Sequence, residues 1–130
     1  AIAHTADALD DLVQCPEMDR GELEEVLSAI RQAICFERGC YTYLEDERMI
    51  TAVIAIFKRN LGPEMKMMQW VEGFAELVLA IKSSPEKLII RVNAKNFLQS
   101  LYFRLRWEGM SDPLDAQINQ TLRQINPFAN

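Results

Sequence analysis

Histidine is almost missing from this sequence: His4 is the only one in 130 residues. A single histidine excludes any two-histidine metal motif, and its place three residues from the start, where chains fray, argues against a histidine-based catalytic triad. Glycine and proline number five each, too few for a collagen-like or low-complexity chain. Cysteine occurs three times, at Cys15, Cys35 and Cys40, which is too sparse for a disulfide scaffold. An odd number, with no apolar leader before it, points to a reducing, cytoplasmic compartment. The longest uncharged run, Met49 to Phe57, has nine residues. A membrane-spanning helix needs about 20, so no segment is expected to cross a bilayer. Basic excess is lacking too, because 14 Lys and Arg face 19 Asp and Glu for a net charge of −5. A nucleic-acid surface built on Arg91, Lys95, Arg104 and Arg106, with Tyr102 and Phe103 for stacking, therefore ranks low.

What remains is an ordinary globular recipe. Apolar residues make up 49% and charged residues 25%, and the length fits one domain spanning residues 1–130. Apolar positions recur at intervals of three and four, so the chain reads as helices throughout. A short first helix turns Leu9, Leu12 and Val13 inward and ends at Cys15-Pro16, since the residue before proline is pushed out of helical geometry. Asp19 with Glu22 forms a capping box for a second helix, striped by Leu23, Val26, Leu27, Ile30 and Ile34 and stopped by Gly39. Thr42 with Glu45 caps a third, whose run from Met49 to Phe57 is apolar around the whole circumference and so enclosed.

Asn60-Leu61-Gly62-Pro63 then separates a fourth helix, reaching about Lys82 with Met67, Trp70, Val71, Phe74, Leu77, Val78 and Ile81 inward. Ser84-Pro85-Glu86 opens the next helical stretch, with Asn93 as a candidate break, and Gly109 ends it. Ser111-Asp112-Pro113 opens a last helix through Leu114, Ile118, Leu122 and Ile125. The expected fold is all-α, a compact bundle of six to seven helices. Helix starts spaced by 21 to 23 residues leave a short HEAT- or armadillo-like stack as the less favoured alternative.

Chemistry is poorly supplied. Cys35-Phe-Glu-Arg-Gly-Cys40 has a C-x4-C spacing, but zinc would need two more ligands from Cys15 and His4 alone. The acidic pairs Asp10-Asp11 and Glu24-Glu25 are adjacent on a helix and point apart. No catalytic, metal-binding or cofactor-binding residue is indicated, and the chain is expected not to be an enzyme. Binding signals are better. Residues 1–47 hold 12 acids and 3 bases, a net −9, whereas residues 48–130 carry a net +4. Such asymmetry suits charge-steered association.

Phe103 and Trp107, four residues apart, lie off the stripe of Leu98, Leu101 and Leu105. They neighbour Arg104 and Arg106, and Met68 lies off the main stripe of the fourth helix. Aromatic and arginine residues dominate binding hot spots, and methionine suits an adaptable groove. The expectation is a helical protein–protein interaction domain, an adaptor or regulatory subunit, docking through Met68, Phe103, Arg104, Arg106 and Trp107. The alternative is a small acidic inhibitor or immunity-type protein that blocks a basic partner through Glu22, Glu24, Glu25, Glu45 and Glu47. The expected partner is another protein, with a second copy of the chain left open.

Overall fold

In the computed structural model some helix starts are held by side chains that replace missing backbone partners, whereas the last helix begins at Leu114 with no side-chain cap bond. The structure describes residues 2–36, 45–59, 64–110 and 112–129. Among these residues there are six helices and no strand: α1 (Ile2–Val13), α2 (Arg20–Phe36), α3 (Glu45–Lys58), α4 (Glu64–Ala80), α5 (Pro85–Trp107) and α6 (Leu114–Ile125). The Asp19–Glu22 capping box forms in both directions. The Glu22 N–H donates to Asp19 Oδ1 at 2.8 Å, and the Asp19 N–H donates to Glu22 Oε1 at 3.1 Å. At the head of α5, Ser84 Oγ accepts from the Lys87 N–H at 3.3 Å and proline is the first helical residue. Each such cap is worth about 1 kcal/mol.

The end of α5 shows why glycine stands at 109. Its φ is +71°, a region that costs a side-chain-bearing residue energy. The turn lets the Met110 N–H reach the Leu105 carbonyl at 2.8 Å and the Gly109 N–H reach that of Arg106 at 3.1 Å. These paired bonds form a Schellman cap, and Met110 folds back onto the core beside buried Leu105.

Packing separates the helices into two alternating rows. In one row α3 packs against both α1 and α5; in the other α4 packs against both α2 and α6. The rows meet mainly through α5, which touches α2, α4 and α6. The apolar run on α3 is enclosed as its composition requires: Met49, Ile50, Ala52, Val53, Ile54, Ile56 and Phe57 are buried, and only Thr51 is well exposed. An aromatic cluster joins three helices. The Trp70 ring meets Phe57, Phe74 and Phe97 edge-on at 5.2–6.2 Å, and Phe74 stacks on Phe97 at 5.5 Å. Edge-to-face geometry is favoured by the ring quadrupoles.

One cation clamps the start of the fold. Arg59, just past α3, donates to the carbonyls of Val13 (3.2 Å), Cys15 (2.9 Å), Pro16 (3.4 Å) and Met18 (2.9 Å). It thereby satisfies the end of α1 and the connector leading into α2, where carbonyls lack helical partners.

Two local expectations fail. Leu12 is 47% exposed; in the part of α1 whose side chains are described, Val13 is buried and Leu9 is half-buried beside it. Asn93 does not break α5; it is buried, with Ile90, Ala94 and Phe97 continuing one packed stripe on either side of it. The expected signals at Gly39, Cys40, Thr42, Asn60 to Pro63 and Ser111 lie outside the described residues.

Candidate functional site

The C-terminal half of α5 carries an aromatic ridge on the side away from the core. Leu98, Leu101 and Leu105 face inward and are buried. Phe103 and Trp107, one turn apart, are 53% and 76% exposed, with ring centroids 6.3 Å from each other. Tyr102 meets Phe103 edge-on at 5.4 Å, and the Arg106 guanidinium sits 5.6 Å from the Tyr102 ring centre. Hollows flank the ridge. One of about 250 Å³ lies between α5 and α6, lined by Gln99, Tyr102, Phe103, Asn119 and Leu122. Another of about 420 Å³, on the α3 side, is lined by Glu47, Gln99, Ser100, Phe103 and Trp107.

The other expected anchors are placed differently. Arg104 ties α5 to α3: it meets Glu47 Oε2 at 2.8 Å, the Glu47 carbonyl at 3.2 Å and Thr51 Oγ1 at 3.1 Å. Arg104 and Glu47, read from sequence as parts of rival binding surfaces, thus neutralise each other. Met68 is half-buried against the core. Among the acidic residues, Glu22 serves the α2 cap and Glu24 pairs with Lys66 at 2.7 Å. Glu25 is exposed, and the Glu45 side chain lies outside the described residues.

A second concavity lies between α2 and α4, a cleft of about 260 Å³ lined by Leu27, Ser28, Arg31, Gln69 and Trp70, with Lys66 and Glu24 also on its wall. The Trp70 indole N–H donates to the Leu27 carbonyl at 2.7 Å, and Arg31 donates to the Trp70 carbonyl at 2.8 Å. Arg31 lies so close over Gly73 that a Cβ there would overlap its guanidinium. Burial lowers the Arg31 pKa. Burial also pushes the nearby Cys35 thiol up to about 12, although Arg31 works against that rise. Burial thus favours the protonated thiol at Cys35 and works against thiolate chemistry there.

Sequence reading passed over Arg31, Arg59 and Lys66. The one available signal was Gly73, an isolated glycine inside a helical stripe, which marks a close approach. Among the described residues no three His, Cys, Asp or Glu side chains converge as a metal site. None of the described helices is long and apolar enough to cross a membrane.

The family described as "Protein of unknown function (DUF2785)" matches residues 1–103. The chain belongs to that family. No curated protein and no solved structure matches it.

Proposed function

We propose that this chain is a non-enzymatic helical interaction domain, an adaptor or regulatory subunit that docks another protein through the ridge on α5. The observation that carries the reading is the pair Phe103 and Trp107, two large rings left in solvent on the helix that forms the centre of the core. The backbone beneath these rings is fixed by the packed opposite face of the helix, so docking has only their few side-chain torsions to order. Arg106 adds a cation with no carboxylate partner among the described residues, and residues 48–130 as a whole carry +4. The partner surface that fits is an apolar pocket edged by acidic side chains. Cytoplasmic placement belongs to the same proposal and is supported by Cys15 and Cys35, both free thiols.

The acidic-inhibitor alternative draws on the −9 of residues 1–47, but Glu22, Glu24 and Glu47 already have internal partners. The test is quantitative capture with wild-type and Trp107→Ala baits, plus a Leu79→Ala bait that removes a different exposed apolar side chain. A partner retained by wild type and Leu79→Ala, and lost by Trp107→Ala at unchanged melting temperature, is the expected result. Identical retention by all three baits overturns the ridge. A partner lost only on Glu25→Lys, with strong salt dependence, favours the inhibitor.

A further inference from the structure

We infer that the cleft between α2 and α4 binds a small monocarboxylate, held by Arg31. Arg31 is half-buried, and its one hydrogen bond among the described residues is to the neutral Trp70 carbonyl; Glu76 acts on it through space but does not reach ion-pair distance. Cations withdrawn from water are normally paired, since desolvation without a counter-charge is costly. The fall in Arg31 pKa on burial agrees with that imbalance. Neighbouring Cys35 offers no negative charge, because its thiol stays protonated.

Gly73 gives the arrangement its shape. Only a residue without Cβ lets the guanidinium lie on α4, where one nitrogen is fixed by the Trp70 carbonyl. A planar fork fixed at one end matches the two oxygens of a carboxylate. Charge and walls narrow the ligand further. Among the lining residues Arg31 and Lys66 contribute two positive charges and Glu24 cancels one, leaving one positive charge on the wall, with Glu76 acting on Arg31 from outside the lining. That suits a monoanion better than a phosphate dianion. Leu27 and Trp70 supply apolar wall for a short hydrocarbon chain. The volume of about 260 Å³ falls below that of drug-sized pockets, so the ligand is small.

Sodium pentanoate is the probe, with inorganic phosphate and sodium chloride at matched ionic strength as the other arms. Tryptophan fluorescence in a Trp107→Phe background reports Trp70 alone, since the chain has two tryptophans. The expected result is a saturable change with pentanoate at millimolar concentration and none with phosphate or chloride. In that background Arg31→Gln should abolish the change. Gly73→Ala keeps every charge and favours the helix, but its Cβ displaces the guanidinium; pentanoate should bind about tenfold more weakly. Glu24→Gln frees Lys66 and should tighten pentanoate and admit phosphate. No saturable response to pentanoate overturns the inference. So does an equal response to chloride, or wild-type affinity in Gly73→Ala, which stays informative even if Arg31→Gln fails to fold.

Discussion

The two tryptophans of this chain occupy opposite kinds of place. Trp70 is 5% exposed, packed edge-on among three phenylalanines, with its indole N–H bonded to the Leu27 carbonyl. Trp107 is 76% exposed, with the Phe103 ring 6.3 Å away. Two arginines differ in the reverse sense. Arg104, on the half of α5 that carries the ridge, is ion-paired with Glu47, whereas Arg31 in the polar cleft hydrogen-bonds a carbonyl and has no carboxylate within ion-pair distance among the described residues. Near the ridge the charge is satisfied and the rings are not; in the cleft the rings are satisfied and the charge is not. Each region thus leaves open one type of interaction, and the type differs: apolar contact on α5, ionic contact between α2 and α4.

The comparison can be sharpened by substitution, beginning with the deepest burial. Ile54→Asp places an unpaired carboxylate on the enclosed face of α3 and should cost about 4–5 kcal/mol. Loss of the cooperative helical melt followed by circular dichroism is the expected outcome, and a near wild-type melting temperature would show that α3 is not enclosed. Trp70→Ala should destabilise by about 3–5 kcal/mol in urea denaturation, as removal of a packed aromatic does. Arg59→Ala, which leaves the carbonyls of Val13, Cys15, Pro16 and Met18 without their donor, should cost about 2 kcal/mol. Arg59→Lys should recover only part of that, because an ammonium cannot spread over four acceptors.

Cys35 gives a pH dependence of known sign. Its thiol is pushed up to about 12 in the folded chain, above the ordinary range near 9, so the folded state holds the proton more tightly. That contribution is complete below pH 9 and is lost as pH rises toward 12. Cys35→Ala should therefore show a flatter decline in stability above pH 9 than wild type, read by urea midpoints in parallel. Smallest of all, Trp107→Ala should change stability by no more than about 0.5 kcal/mol, the usual range for an exposed position. A large loss there would place Trp107 in the core and end the contrast with Trp70.

Local signals were the legible part of this fold. The Asp19–Glu22 box, the Ser84-Pro85 start and the Gly109 stop all rest on residues within four positions of one another, and all three form. The place of Phe103 and Trp107 one turn apart and off the leucine stripe was readable for the same reason, but whether solvent or another helix covers that face was not, as half-buried Met68 on α4 illustrates. Pairings across the chain were not readable. Arg31 finds Trp70 at a separation of 39 residues and Arg104 finds Glu47 at 57, and no periodicity encodes either. Asn93 misled because a polar residue resembles a break when the neighbours that bury it belong to other helices.

The four-carbonyl clamp of Arg59 has a consequence for how the molecule opens. The amide of Cys15 bonds back to Leu12 in the last turn of α1, the amide of Met18 bonds to Cys15 within the α1–α2 connector, and the amide of Arg59 bonds back to Ile56 at the end of α3. Releasing the connector frees the guanidinium, and fraying the last turn of α3 withdraws it from the connector. These two stretches, more than 40 residues apart, are therefore one opening unit. In native-state hydrogen exchange the amides of Cys15, Met18 and Arg59 should share a single protection factor. In Arg59→Ala they should exchange on separate clocks.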